Sequence, residues 1–135
     1  MKAKVYRTKA LPQEKWDELN FNQGLITGFD LKRFQALRVL LIGVGAIGTH
    51  VALALVRKGI GRLDMYDGDI VEPKNLTRQL FSIEDEGKNK AVCLARILSK
   101  QGFFKTTITG YPYRFQEALE MGTDFSTYNA VICAV

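Results

Sequence analysis

The most regular part of the chain opens with an almost entirely apolar run, Arg38–Ile42, which ends at Gly43. Continuous apolarity over so few residues is typical of a strand that is buried on both faces of a sheet. From Thr49–Lys58 the apolar positions recur at helical spacing, and Gly59 follows as a helix stop. The pattern therefore predicts a strand, a glycine turn and a helix, the first half of a βαβ unit.

The alternation of strand and helix patterns continues along the chain. We predict strands at Arg62–Tyr66, Thr106–Gly110 and Ala130–Val135, and helices at Asn89–Gln101 and Phe115–Met121. Because parallel strands need crossovers of this length, we expect one doubly wound, mainly parallel Rossmann-like sheet, ordered 3-2-1-4 and flanked by helices. The predicted fold class is α/β.

We predict two parts in the chain. Residues 1–37 are expected to form an N-terminal helical arm, with short helices at Glu14–Leu19 and Asp30–Leu37 that cap the sheet. The basic residues of its first nine positions favour a solvated arm, and the alternative is attraction of an acidic partner. Residues 38–135 carry the sheet. Its last strand would be a bare apolar edge, so we expect either truncation of a longer domain after the fourth strand or an edge covered by another chain.

Composition excludes several classes of protein. With 135 residues, 47% hydrophobic and 24% charged, the chain has the profile of one soluble globular domain. No apolar run approaches the roughly 20 residues that span a bilayer, and the basic N-terminus is followed by polar residues rather than a secretory core. We expect a cytoplasmic protein that binds neither membrane nor nucleic acid.

The sequence contains two cysteines, Cys93 and Cys133. They are widely separated, and each lies within an apolar segment, which argues against a disulfide framework or a zinc knuckle. We predict two buried, reduced thiols.

A glycine-rich loop, Gly43-Val44-Gly45-Ala46-Ile47-Gly48, joins the first predicted strand to the first predicted helix. Such glycines let the backbone approach a phosphate, and the helix N–H groups and dipole favour its negative charge. The same glycines also serve simple packing of a helix on a strand. The position between strand and helix favours nucleotide binding by Gly43, Gly45 and Gly48.

Asp67 ends the second predicted strand, about 20 residues beyond the loop. A carboxylate at this position can accept hydrogen bonds from both hydroxyls of a ribose. The position fits NAD and ATP equally. The alternative is an aspartate that only caps the turn at Gly68.

The polar residues after Asp67 distinguish the two nucleotides. Arg78 and Lys90 supply cations for phosphate groups, and Asn75 supplies a neutral amide donor. Adenylyl transfer needs such donors because negative charge moves onto the leaving pyrophosphate, and it needs a metal ion held by carboxylates. Asp69 is a candidate outer contact to that metal. A nicotinamide site needs no such cluster.

Each of these residues also has an ordinary explanation. Arg78 and Lys90 would suit a solvated charged face, and Asn75 and Gln79 would suit turn chemistry after Pro73. The four together are better explained by phosphate binding, so Gln79 joins the candidate nucleotide-binding residues.

The motifs resemble the adenylation domain of the ThiF/MoeB/HesA superfamily, enzymes that activate ubiquitin and its bacterial sulfur-carrier relatives. The family pattern is a glycine loop, then Asp-x-Asp-x-Val, Asn-Leu-x-Arg-Gln and Gly-x-x-Lys. These motifs stand here, in that order, as Gly43–Gly48, Asp67–Val71, Asn75–Gln79 and Gly87–Lys90. The last predicted strand also fits the family.

The resemblance implies an enzyme that uses MgATP to adenylate a carboxylate. The C-terminal glycine of a small β-grasp protein, ubiquitin-like or sulfur-carrier, or of a related peptide, would attack the α-phosphate at the carboxyl ends of the strands. The resemblance assigns catalysis and phosphate contacts to Asn75, Arg78 and Lys90. It assigns Asp67 to the ribose and Gly45 to close approach of the backbone. Members are typically homodimers, so a homodimer is expected.

Three departures from the family pattern are present. Residues 20–23 read Asn-Phe-Asn-Gln where the family often has Arg-Tyr-x-Arg-Gln, so an arginine that reaches the partner's ATP site is absent. Ala46 replaces a common loop glycine, which is tolerable because the helix has nearly begun. The family's metal-binding aspartate follows the fourth strand, so the Mg²⁺-holding acid is expected beyond Val135 and no direct metal ligand is predicted before it.

Two other functions stay open at this point. An NAD-dependent oxidoreductase domain would use the glycine loop and Asp67 but would leave Asn75, Arg78 and Lys90 unexplained. A non-catalytic nucleotide-binding partner subunit would explain the missing N-terminal arginine and the missing metal-binding acid.

Overall fold

The computed structural model describes residues 2–135 and contains one five-stranded sheet. The strands are β1 (Lys4–Arg7), β2 (Arg38–Ile42), β3 (Arg62–Tyr66), β4 (Thr107–Tyr111) and β5 (Ala130–Cys133). Their spatial order is β1-β4-β3-β2-β5, in which β1 is antiparallel to β4 and all other pairs are parallel. The last four strands have the predicted order, and the α/β fold is confirmed.

Helices connect the parallel strands. The described α-helices are α1 (Trp16–Leu19), α2 (Leu31–Gln35), α3 (Ala46–Lys58), α4 (Lys90–Ser99) and α5 (Phe115–Glu120). Single turns of 3₁₀-helix lie at Gln13–Lys15, Gln23–Leu25, Pro73–Asn75 and Ile83–Asp85. Helix α3 ends at Gly59, whose φ of 98° is left-handed and suits glycine. Within residues 2–135, no helix is both long and apolar enough to cross a membrane.

The two faces of the sheet differ in character. One face packs against α3 and α4 through aliphatic side chains such as Leu63, Val56 and Leu94, all fully buried. The other face lies under α5 and carries aromatic side chains; its cluster includes Tyr66, Tyr111, Tyr113, Phe115, Phe125 and Tyr128. Alternation along β3 produces this division, because successive side chains point to opposite faces.

Strand β1 corrects the prediction of a solvated, wholly helical N-terminal arm. Its backbone pairs with β4 from Lys4 opposite Gly110 to Arg7 opposite Thr107. Beyond the strand, the buried Thr8 hydroxyl donates to a carbonyl at Phe104. The pairing partner lies about 100 residues away, so local sequence gives no sign of it. The proposed division of the chain at residues 37 and 38 stays a prediction.

One of the two cysteine predictions is wrong. Cys93 is buried within α4, and burial, with a hydrogen bond involving Asp85, raises the pKa of its thiol. Cys133 is exposed. The apolar run that contains Cys133 forms an edge strand, so its outer flank contacts no neighbouring strand within the described chain.

Candidate nucleotide site

A cavity of about 610 Å³ lies at the carboxyl ends of the parallel strands. Its wall combines the loop after β2, the acidic turn after β3, and the first residues of α4 and α5; it includes Gly43, Gly45, Asp67, Asp69, Lys90 and Arg114. Doubly wound sheets bind their ligands at this end of the strands. The structure therefore brings five of the predicted site residues onto one wall.

Glycine is present at the three loop positions for different structural reasons. Gly43 has φ 90°, and a Cβ added there would lie 2.8 Å from the carbonyl oxygen of Ala134. A Cβ at Gly48 would lie 2.1 Å from the carbonyl oxygen of Gly43, so both positions are required by backbone packing. A Cβ at Gly45 would meet nothing closer than Gln79 Nε2, at 3.8 Å. Gly45 therefore leaves space on the cavity side rather than relieving a clash.

Helix α3 begins at Ala46, and its N-cap residue, Gly45, has no side chain with which to cap the first turn. Alanine is well suited to this first helical position, which explains why the loop tolerates it in place of glycine. The first N–H groups of a helix have no partner within the helix, and anions commonly satisfy them. The loop thus presents free backbone donors and the positive end of the helix dipole to the cavity.

Asp67 organises the turn and the loop together. Its Oδ2 accepts a hydrogen bond from the Val44 N–H at 2.9 Å, and its Oδ1 accepts one from the Asp69 N–H at 2.8 Å. The suggested turn-capping role is therefore present. Each carboxylate oxygen has further acceptor capacity, and Asp67 also lines the cavity, so the ribose role stays a prediction consistent with this geometry.

Lys90 is the first residue of α4 and is only 8% exposed. Its N–H donates to the carbonyl oxygen of Asp69 at 2.9 Å, and its side chain lines the cavity. Among the described residues no carboxylate lies within ion-pair distance of its ammonium group. The alternative of a solvated charged face is wrong for Lys90. Because a buried cation needs compensation, this position suits an anionic ligand.

Asn89 is a residue that sequence reasoning missed. Its Oδ1 accepts from the Val92 N–H at 3.0 Å, which caps α4. Its Nδ2 donates to the carbonyl oxygens of Asp67 at 2.8 Å and Asp69 at 3.2 Å. Asn89 thereby fixes the acidic turn against the start of the helix that carries Lys90. An asparagine before a helical pattern is a capping signal, but its second bond is tertiary.

Asn75 and Arg78 do not line the cavity. Asn75 is buried, and its Oδ1 accepts from the Glu72 N–H at 2.9 Å, so the turn chemistry suggested as an alternative is present. Arg78 is exposed, and its carbonyl oxygen lies 3.1 Å from Nε2 of His50. The phosphate roles of these two residues stay predictions.

Gln79 lies between these residues and the glycine loop. It is 9% exposed, and its Oε1 is buried without a hydrogen-bond partner within residues 2–135. Its amide group faces Gly45. A buried amide oxygen without a partner is unusual, and it directs attention to the space beside the loop.

Arg114 is a second residue that sequence reasoning missed. It precedes α5, lines the cavity, and places its Nη2 4.0 Å from Oδ1 of Asp69. Its Cγ would lie 3.0 Å from a Cβ on Gly68, so this glycine allows the arginine to cross the turn. No motif identifies Arg114, but it follows a parallel strand at the ligand-binding end of the sheet.

The described residues do not form a metal-binding cluster by themselves. Within residues 2–135, no group of three or more His, Cys, Asp or Glu side chains is arranged to hold a metal ion. Mg²⁺ commonly uses one or two carboxylates together with phosphate oxygens and water. The exposed Asp69 therefore remains compatible with an outer contact and no more.

A family model decides the classification. The model of the ThiF family matches residues 19–135. The chain belongs to the ThiF family. This result confirms the resemblance seen in the sequence motifs, and the α/β architecture described above agrees with it.

The matches to relatives cover only part of this chain and a smaller part of each relative. The chain is 37% identical over 82 residues to the ATP-dependent ubiquitin transferase-like protein Cap2 of Escherichia coli (strain TW11681), covering 58% of this chain and 14% of that protein. It is 36% identical over 85 residues to the adenylyltransferase and sulfurtransferase MOCS3 of Danio rerio, covering 62% of this chain and 18% of MOCS3. The chain thus spans less than a fifth of the length of these relatives.

The matches to solved structures also cover only part of each solved chain. E. coli MccB crystallised with ATP has 36% sequence identity and a TM-score of 0.52, covering 56% of this chain and 24% of that chain. The E. coli tRNA N6-threonylcarbamoyladenosine dehydratase TcdA has a TM-score of 0.71 over 91% of this chain and 52% of its own. At 24% identity, TcdA is a likeness of fold alone.

Proposed function

We propose that this chain is the ATP-binding part of an enzyme that adenylates the C-terminal carboxylate of a ubiquitin-like or sulfur-carrier protein, or of a related peptide. The observation that carries the proposal is the placement of the buried Lys90 on the same cavity wall as the open backbone at Gly45. Lys90 supplies a positive charge that has no acidic partner among residues 2–135, and the loop backbone supplies free N–H groups. A polyphosphate meets both requirements.

The nucleoside end of ATP would lie toward the acidic turn. Asp67 follows β3 as the ribose-binding acid of this fold does, and Asn89 holds its backbone in place. NAD would use the loop and Asp67 equally well. NAD would not explain the buried ammonium of Lys90 at the start of α4. The loop would already bind the pyrophosphate of NAD, and the nicotinamide carries no negative charge.

Relatives support ATP as the nucleotide and adenylyl transfer as the reaction. MccB has been crystallised with ATP, and MOCS3 is an adenylyltransferase. In the proposed reaction a carboxylate oxygen of the protein substrate attacks the α-phosphorus and forms the acyl adenylate. The bond between the α-phosphorus and its bridging oxygen breaks, and pyrophosphate leaves with the electron pair. Bound Mg²⁺ would neutralise charge on the leaving group.

The chain's own residues would act on charge and position. Lys90 and the α3 N-terminus would hold the phosphates, and the loop would exclude side chains from their path. Arg78, which is exposed on the turn that follows Asn75, is proposed to reach the phosphates in the transition state. The expected homodimer and the cytoplasmic location stay predictions.

The test has two parts. Calorimetric titration should give clearly tighter binding of ATP than of NAD; equal or tighter binding of NAD would overturn the choice of nucleotide. The full gene product should also catalyse exchange of labelled pyrophosphate into ATP when supplied with a cognate small β-grasp protein that ends in Gly-Gly. ATP binding without exchange, across a panel of such proteins and peptides, would favour the non-catalytic partner subunit.

A further inference from the structure

A second cavity, of about 260 Å³, lies on the aromatic face of the sheet beneath α5. We call it the tyrosine pocket; its wall includes Arg38, Arg62, Tyr66, Tyr111, Tyr113 and Tyr128. Arg38 and Arg62 are the first residues of β2 and β3, so the cationic end lies at the amino ends of these strands. The glycine loop follows the other end of β2. The tyrosine pocket is thus a separate site, and among residues 2–135 it shares Tyr66 alone with the nucleotide cavity.

One of the two arginines is fully compensated. The fully buried Asp64 accepts hydrogen bonds from Arg62 Nε at 3.1 and 3.2 Å, and the Tyr128 hydroxyl also donates to it. Burial of Tyr128 raises the pKa of its hydroxyl, and the hydrogen bond to Asp64 raises it further. The hydroxyl therefore stays protonated and remains a donor. Asp64 therefore has its charge balanced by Arg62 and its acceptors occupied.

Arg38 has no comparable partner. Its guanidinium carbon lies 5.8 Å from the centroid of the Tyr128 ring, and no carboxylate within residues 2–135 is in ion-pair distance of it. Its Nε is buried and has no hydrogen-bond partner among the described residues. Among the described residues that line the pocket the one acid is Asp124, which is exposed and accepts from the Ser126 N–H at 2.8 Å. The pocket wall thus carries a positive charge that residues 2–135 do not compensate.

We propose that the tyrosine pocket binds a small oxyanion, a carboxylate or a phosphate, at the guanidinium group of Arg38. The two Nη groups of a guanidinium carry parallel N–H donors that match such an anion. Stacking over Tyr128 holds the planar group in one orientation. The volume is below the roughly 300–1,000 Å³ of sites for drug-sized ligands, so it suits a small ion or a single acidic group rather than a nucleotide.

Arginine side-chain NMR tests the proposal directly on the wild-type chain. Sodium acetate and sodium phosphate are titrated separately against chloride at constant ionic strength, while the ¹H–¹⁵N signal of the Arg38 Nε–H is followed. A saturable downfield shift with either anion supports the site, and the anion that acts identifies carboxylate or phosphate as the source. Because the readout is Arg38 itself, phosphate bound at the glycine loop does not mimic it.

Arg57 provides the matched control within the same spectra. It also stacks on an aromatic ring, 5.1 Å from the Phe103 centroid, but its Nη2 donates to Gln101 and it lines neither cavity. Its Nε–H signal should not saturate. Equal behaviour of Arg38 and Arg57, or a merely linear drift at Arg38, would overturn the site.

A conservative variant distinguishes the contribution of the guanidinium N–H donors of Arg38 from that of its positive charge. Arg38→Lys keeps the cation but removes the parallel N–H donors of the guanidinium. Binding is followed through the backbone amide of Asn129, whose side chain accepts from the Arg38 N–H at 2.8 Å. Anion affinity should fall about tenfold or more, as expected for lost charge-assisted hydrogen bonds. Unchanged affinity in a folded Arg38→Lys protein would show that the guanidinium donors are not the binding group and would contradict the proposal.

Discussion

The carboxylate of Asp67 accepts a hydrogen bond from the backbone N–H of Val44, with 2.9 Å between Oδ2 and the nitrogen. The acid predicted to hold the ribose therefore also holds the loop predicted to hold the phosphates. A single side chain couples the two halves of the proposed nucleotide site. Substitution at Asp67 should consequently change both ligand affinity and the stability of the free protein.

Asp67→Ala should weaken ATP binding by about 1.5–3 kcal/mol, the range for a hydrogen bond that involves a charged group. It should also lower the free energy of unfolding by about 1–3 kcal/mol, because the N–H groups of Val44 and Asp69 lose their acceptor. Calorimetry and urea unfolding measure the two effects. Asp124→Ala is the control, since this exposed aspartate also accepts from a backbone N–H, that of Ser126, but lies outside the nucleotide cavity. If Asp67→Ala loses stability but keeps its ATP affinity, Asp67 is a turn residue alone.

Lys90→Met should reduce ATP affinity about tenfold or more, equivalent to about 1.4 kcal/mol, because methionine keeps the buried stem and removes the ammonium. The melting temperature of the free protein should not fall, since Lys90 has no acidic partner among residues 2–135. Lys88→Met is a matched control: Lys88 is half exposed and pairs with Asp85 at 3.5 Å, outside the cavity. Equal losses of affinity in both variants would indicate general electrostatic attraction rather than a site at Lys90.

Gly45→Ala and Gly48→Ala should separate binding from folding. A methyl group at Gly48 would overlap the carbonyl oxygen of Gly43, so unfolding free energy should fall by about 1–3 kcal/mol or more. A methyl group at Gly45 has room in the free protein but would occupy the approach of a phosphate. Thermal unfolding should therefore be near normal for Gly45→Ala while ATP affinity falls. Normal ATP binding by Gly45→Ala would place the phosphates elsewhere.

Arg78→Ala should slow pyrophosphate exchange by the full gene product on the order of 100- to 1,000-fold, the scale for removal of one preorganised donor to developing charge. ATP affinity should change less, because the exposed Arg78 lies outside the cavity wall and is proposed to act in the transition state. Exchange rates and calorimetric affinities measured on the same preparation give the comparison. A parallel loss of both would assign Arg78 to ground-state phosphate binding.

The parallel core of the fold could be predicted from the sequence because its signals are local. Strands β2 and β3 have the predicted bounds, Arg38–Ile42 and Arg62–Tyr66, and each ends where glycine or aspartate interrupts an apolar run. Helix α3 begins three residues earlier than Thr49, at Ala46, because periodicity cannot mark a first turn that contains Gly48. Gly43 and Asp67 could be predicted as site residues because each directly follows one of these strands.

Features that depend on distant contacts could not be predicted. Cys133 lies in an apolar run, and only the position of its strand at the sheet edge exposes it. Arg114 is surrounded in sequence by ordinary loop residues. It reaches the cavity because its side chain packs across Gly68, a contact that the sequence does not reveal. Lys90 was predicted as a phosphate ligand, but its burial follows from packing of α4 under the acidic turn.

The pairing of β1 with β4 also constrains the order in which the chain can assemble. Lys4–Arg7 are made about 100 residues before their hydrogen-bonding partners, Thr107–Gly110. At a synthesis rate of roughly 5–20 residues per second, the first strand waits several seconds for its partner. Strands β2 and β3 can pair during that interval, whereas β1 can close the outer edge of β4 only after β4 is made. The strand made first in this sheet is therefore not the first to be paired.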